Sequence, residues 1–456
     1  MNDTPPTDTG DATRSPRRYL GWIAAGIGLV LVGIAAVLVA VTLSNRPSGV
    51  GPTPDPGPSG SSQASEAPSP SPSESVPGSP AASATATASA TATPVPSFAA
   101  STIDLAWTRT GSFPTSGGLS IVLGVAPLGD RYLAVGIEYV EPLPVLGPRP
   151  PHETRVWTST DGRTWAPVTL DPALVDVELT APVVLADGSL LATGVRVLPT
   201  EFRDEEYGAW RTTDGITWTE TDIPMDGIVS GIARGARGLL VVVTPLTSDD
   251  QELWMSADGS TWERVHTVEA DYLDIDAGDE GFAAVGWSDE VDGPIAIASG
   301  DGRTWVDGTD PGFSPFLEVA AFGSDWIVVD DPGGPMPTWF SANGLGWAPH
   351  GGIPGRTIPV DEMECREFRR DLLSSGPWLV ASTDLTYPCS EGAYAIHGTQ
   401  YLSLDGAGWA GLPFAEGTPM ENRSGSSVNG VLPVPGGLIL VGEENGAATF
   451  WFGEAP

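Results

Sequence analysis

One short pattern occurs six times between residues 156 and 409, and a repeat of this kind restricts the fold more than any other feature of the chain. The copies are VWTSTDGRTW ending at Trp165, AWRTTDGITW at Trp218, LWMSADGSTW at Trp262, AIASGDGRTW at Trp305, TWFSANGLGW at Trp347 and QYLSLDGAGW at Trp409. Six residues before each Trp stands Ser159, Thr212, Ser256, Ser299, Ser341 or Ser403. Four before it stands Asp161, Asp214, Asp258, Asp301, Asn343 or Asp405, and three before it always a glycine. Asp-Gly or Asn-Gly between alternating segments is the strongest short hairpin signal, because both central residues tolerate positive φ. The spacing therefore predicts a hairpin in every copy. The hydroxyl and the carboxylate are expected to bond backbone groups of the turn. The Trp of the outgoing strand is expected to pack between neighbouring sheets.

A second element recurs upstream of each copy: RYLAVG (131–136), SLLATG (189–194), GLLVVV (238–243), GFAAVG (281–286), DWIVVD (325–330) and PWLVAS (377–382). A seventh, GLILVG, occupies 437–442. Near-continuous apolar strands of this length suit sheets covered on both faces. A further strand precedes each, as in LSIVLGVAPL (119–128) and VNGVLPVPG (428–436). Each unit is thus four strands over roughly 40 to 60 residues, the size of a propeller blade. The seventh unit ends with ATFWF (448–452) and has no Asp-Gly hairpin. Its missing outer strand is available at the other end of the domain in IDLAWTRTG (103–111), with Trp107 in place of the hairpin Trp. The expectation is an all-β, seven-bladed β-propeller over residues 101–456, closed by its N-terminal strand.

The hairpins resemble the Asp-box, or BNR, repeat of sialidase-type propellers, whose usual form is S-x-D-x-G-x-T-W. Here one residue is missing between Asp and Gly, Asn343 replaces the acid in one copy, and Gly346 and Gly408 replace Thr in two. The resemblance implies that the boxes join third and fourth strands on the face away from the ligand site, with a structural role. It also implies what a sialidase would need: an Arg triad, a Tyr nucleophile with its Glu partner, and an Asp acid/base. No F/Y-R-I-P motif precedes the first blade; the nearest string is PRPP at 148–151. Catalysis is therefore not expected. No P-loop, nucleophile elbow or dinucleotide fingerprint occurs in a strand–turn–helix context.

Loops between second and third strands are expected on the opposite face, and they are acidic. They contribute Asp204, Glu205 and Glu206, then Asp249 and Asp250, then Asp289, Glu290 and Asp292, then Asp330 and Asp331, then Glu443 and Glu444. One reading is a rim that attracts a cationic partner or Ca²⁺; the other is a solvated acidic surface. No cofactor is otherwise indicated. The whole chain carries 21 basic residues, all Arg, against 58 acidic ones, a net charge of −37. A chain this negative repels nucleic-acid backbones. His152, His266, His350 and His397 lie far apart and read as loop or surface residues.

Residues 19–43 form an uncharged apolar run long enough to cross about 30 Å of hydrocarbon. Arg14, Arg17 and Arg18 precede it and only Arg46 follows closely, which places residues 1–18 in the cytoplasm and the remainder outside. A cleaved signal peptide is the rival reading, but the run is long for one and no small-x-small site follows directly. Residues 44–100 are Pro-, Ser-, Ala- and Thr-rich, too polar to bury a core. At about 3.1 Å per residue, such a tether reaches on the order of 100 Å. The only cysteines, Cys365 and Cys389, fall in the external part, where a disulfide between them is expected. The function expected is a membrane-tethered, extracellular module that binds a protein, peptide or glycan. A divergent glycoside hydrolase and an envelope assembly factor are the alternatives.

Overall fold

A computed structural model describes residues 103–455, apart from 116–117, 142–149, 173, 199–204, 222, 224–226, 249, 310–311, 315–316, 332–335, 355–356, 361–362, 386–395 and 415–424; side chains of 355–370, 385 and 396 are likewise not described. The expected cytoplasmic tail (1–18), membrane span (19–43) and linker (44–100) lie outside the described residues. Among the described residues all regular structure is β-strand.

The strands form seven antiparallel sheets in chain order. In the first blade Ser120–Leu128, Arg131–Tyr139, His152–Ser159 and Ala166–Val168 pair consecutively from the inside outward. The next five blades span residues 177–221, 227–268, 272–307, 317–353 and 357–411. The innermost strand of each blade packs against the innermost strand of the next, and Ser120–Leu128 of the first packs against Ser426–Val434 of the last. The chain is therefore a closed, seven-bladed propeller.

Closure is made as the sequence suggests. The last blade contributes Ser426–Val434, Gly437–Glu444 and Ala447–Glu454, and its outer strand is Ala106–Phe113 from the other end of the domain. Ala106 pairs with Glu454 and Phe113 with Ala448, interrupted by one bulge between Arg109 and Gly111. Trp107 packs edge-on against Phe414, with ring centroids 5.4 Å apart. It fills the gap toward the sixth blade that the box Trp fills elsewhere. Joining the two ends in one sheet leaves the circle without a free edge.

The core is a set of layers between blades. Second strands supply most of it: Leu239, Leu240, Val241, Val242 and Val243 are all fully buried. Alternate side chains serve the two neighbouring layers, since Leu240 and Val242 pack toward the fourth blade while Leu239, Val241 and Val243 pack toward the second. That two-sided demand is why these strands read as unbroken apolar runs. Each fully buried aliphatic side chain contributes about 1.5–3 kcal/mol.

Candidate functional site

The ring has two ends of different chemistry. One carries the turns between third and fourth strands, where all six boxes lie. In the first, Ser159 Oγ accepts the Gly162 amide at 2.8 Å and donates to Asp161 Oδ1 at 2.9 Å. The same carboxylate oxygen accepts the amides of Arg163 (2.8 Å) and Thr164 (2.7 Å). The backbone bonds around Asp214, Asp258, Asp301, Asn343 and Asp405 repeat this arrangement. Amides pointing at the charged form hold Asp161 and Asp301 down to about 2. The same cause lowers Asp214 and Asp258.

The turn differs from a two-residue hairpin. Only the glycines take positive φ, near +70°, and none of the box acids does. Six residues, 160–165, join His152–Ser159 to Ala166–Val168. The carboxylate, by accepting two successive amides, winds the chain around itself and lengthens the connection. Box tryptophans then point inward: Trp165 stacks on Phe450 of the seventh blade at 4.4 Å, and its Nε1 donates to the Gly162 carbonyl.

At the opposite end the acidic loop residues divide into two groups. Asp330, Asp331 and Glu443 are buried. Asp330 accepts from the Ser314 amide and hydroxyl, and Glu443 from the Gly446 amide. Glu205 accepts from Tyr207 Oη, and Glu444 from Arg109 on the closing strand. Asp289, Glu290 and Asp292 are exposed on one loop of the fourth blade, and Glu206 is exposed on the second blade. Asp250 lies beside them on the third. Sequence reading missed Glu269, which joins this group. A hydrogen bond with Glu290, then Glu290's charge, partial desolvation and the charge of Asp250 raise its carboxyl. Asp204 and Asp249 lie outside the described residues. Among the described residues no three His, Cys, Asp or Glu side chains gather in metal-holding geometry.

Around the central axis a second polar set emerges that no motif announces. Tyr272, Asp274 and Asp276 alternate along the inner strand Tyr272–Ala277 and so share one face. Their oxygens accept, in order, the amides of Leu317 (3.0 Å), Val319 (2.8 Å) and Ala321 (2.7 Å) on the inner strand of the fifth blade. Glu318 in turn accepts the Leu372 amide of the sixth blade. These side chains satisfy backbone donors that an inner sheet edge would otherwise leave unpaired.

No family model matches the chain, and no curated protein matches it. Solved structures show low structural similarity to it. Zg3597, a family 117 glycoside hydrolase produced by the marine bacterium Zobellia galactanivorans, is 12% identical over 50% of this chain and 85% of its own, with a TM-score of 0.32. A prolyl endopeptidase is 10% identical over 74% of this chain and 50% of its own, with a TM-score of 0.41. The N-terminal domain of Nup159 is 10% identical over 77% of this chain and 96% of its own, with a TM-score of 0.38. Glycoside hydrolases are thus among the structural neighbours of this propeller.

Two histidines depart from the surface placement expected of them. His152 and His397 are buried, at 1% and 3% exposure. His152 Nδ1 lies 3.2 Å from the Pro150 carbonyl, and its Nε2 is 3.4 Å from Glu178 on the second blade. His397 Nδ1 contacts Asp384 at 2.8 Å, and its Nε2 faces Glu443 of the seventh blade at 3.7 Å. Burial opposes protonation of His397, but the charge and hydrogen bond of Asp384, aided by Glu443, outweigh it and raise the imidazole to about 9. Both rings sit where one blade meets the next, a position that sequence spacing does not disclose. His350 stacks on Phe340 at 5.2 Å and reaches the Asp405 carbonyl of the next box. His266 stacks on Trp305 of the following blade. The expected Cys365–Cys389 disulfide falls outside the described side chains.

Proposed function

We propose that this chain is a membrane-tethered, extracytoplasmic binding module that takes a basic, amphipathic peptide segment on the face formed by loops between second and third strands. One observation carries the reading. Six large aliphatic side chains are exposed among the described residues, and four of them, Val140, Val175, Leu246 and Val291, lie at this end and are each more than half exposed. Leu246 lies on the loop that carries Asp250, and Val291 on the loop that carries Asp289, Glu290 and Asp292. Exposed apolar side chains rimmed by charge mark recognition surfaces. Glu290 and Asp250 lie close enough to raise the Glu269 carboxyl, and carboxylates so placed gain from a cation between them.

The opposite face suits this role less, because its box acids spend their oxygens on their own turns. The chain also enters the ring there. Ala106 pairs with Glu454, and Glu454 accepts from Arg163 of the first box at 2.9 Å.

Fluorescence anisotropy with a labelled Arg/Leu-alternating peptide and the full chain in nanodiscs tests the proposal. Saturable binding that weakens with salt and is lost in a combined Asp289→Asn, Glu290→Gln, Val291→Ser variant is expected. Unchanged binding by that variant would rule the face out.

A further inference from the structure

On the flank of the ring, where the closing strand meets the first blade, lies a cavity of about 430 Å³. It lies on the first blade, toward the end that carries the loops between second and third strands and away from the boxes. Its origin is legible in strand periodicity. Glu153, Arg155 and Trp157 alternate along His152–Ser159 and share one face, and their partners on the neighbouring strand are Glu138, Gly136 and Ala134. Gly136 and Ala134 add little side chain to this face, and a Cβ on Gly136 would meet the Ile121 carbonyl. Across the gap stands Phe113 from the closing strand, its ring centroid 5.9 Å from that of Trp157, and Pro167 forms the outer wall.

The polar groups form a row. Arg155 Nε donates to Glu138 Oε2 at 2.6 Å, and Arg155 Nη1 lies 3.1 Å from Glu153 Oε2. Acceptor, donor and acceptor therefore follow one another along one wall. Each carboxylate retains a second oxygen, and the guanidinium retains donors beyond these two contacts.

We propose that this cavity binds a neutral hydroxylated ring, one or two sugar units of a glycan. Its volume lies within the roughly 300–1,000 Å³ of small-ligand sites. A sugar hydroxyl both donates and accepts, so a neighbouring pair of hydroxyls bridges the guanidinium and a carboxylate together. The C–H face of the ring packs on the apolar wall to which Phe113, Trp157 and Pro167 contribute. A cation is disfavoured by Arg155 between the two acids, and an anion by the acids themselves. Because Phe113 belongs to one end of the domain and Arg155 to the first blade, an occupant here also braces the ring closure.

The test uses the full chain in nanodiscs with maltose, cellobiose and N,N′-diacetylchitobiose as probes, and spermidine for comparison. Saturation-transfer NMR is expected to show ring protons of at least one disaccharide in contact with the protein, together with a rise in melting temperature. Arg155→Ala is expected to weaken that binding about tenfold, the factor that follows from losing about one hydrogen bond. Thr169→Trp, at an exposed position on the lining, is expected to abolish it while the protein melts as before. The proposal is overturned by no transfer from any of the three sugars, by transfer unaltered in both variants, or by binding of spermidine instead.

Discussion

Gly162, in the first box, lies directly against Ile439 of the seventh blade: a Cβ added to it would stand 2.7 Å from Ile439 Cδ1. The relation recurs around the ring. Gly215 faces Leu133, Gly302 faces Met255 and Gly406 faces Ile327, each on the blade before its own. The box glycine therefore has two duties. It takes the positive φ of the turn, and it lets the turn seat on the preceding blade.

Gly162→Ala is expected to destabilise the propeller by about 2–4 kcal/mol, combining left-handed backbone strain with overpacking. Gly188→Ala offers the comparison, because its φ is +82° but nothing lies within 4 Å of the added methyl. That variant should lose only about 1–2 kcal/mol. Chemical denaturation of both separates the terms; equal losses would show that the seat on Ile439 contributes nothing.

The box carboxylates make stability sensitive to acid. Asp161 and Asp301 are lowered in the folded chain from 3.8 to about 2. A depressed folded pKa gives stabilisation that is complete above the unfolded value and lost as pH falls through the folded one. Melting temperature should therefore drop between pH 4 and 2, and less steeply in an Asp161→Asn, Asp301→Asn variant. The box with Asn343 already lacks this dependence at its turn.

His397 has the opposite sign. Its folded pKa is raised from 6.5 to about 9, so its contribution is complete below 6.5 and lost as pH rises toward 9. Thermal unfolding between pH 6 and 10 should show a decline that His397→Gln removes. A decline that persists in the variant would assign the effect to other groups.

Asp276 accepts amides of Ala277 and Ala321 and the hydroxyl of Ser374 from a partly buried position, and desolvation raises its carboxyl. Asp276→Ala leaves these donors without their acceptor and is expected to cost about 1–3 kcal/mol per buried group left unpaired. Asp276→Asn retains an acceptor oxygen and should recover part of the loss. Equal melting temperatures for wild type and Asp276→Ala would show that the inter-blade contact does not stabilise the ring.

Turn chemistry shows how far local signals carry. The Asp-Gly pairs located the six boxes, but the prediction of two left-handed residues failed there, because carboxylate-to-amide bonds reshape the connection. The two-residue turn of that kind is Asn445-Gly446, with φ of 51° and 82°, joining Gly437–Glu444 to Ala447–Glu454. Its Asn-Gly signal stood in the sequence among acidic loop residues. The inner-strand set was legible only in part: alternation in YLDIDA places Tyr272, Asp274 and Asp276 on one face, but not opposite Leu317, Val319 and Ala321.

Repetition let the amino-acid sequence by itself determine the number of blades and the route of closure. Seven apolar strands against six boxes leave one outer strand to be supplied from residues 103–111, and pairing within and between adjacent hairpins needs only local period and turn residues. Tertiary structure alone decided what meets across blades: Asp276 with Ser374, His397 with Glu443, and Phe113 beside Trp157. Such partners are 46 residues apart at His397 and Glu443 and 98 apart at Asp276 and Ser374. No periodicity links them, because their proximity follows from the angle and depth at which whole sheets pack rather than from the order of residues along one strand.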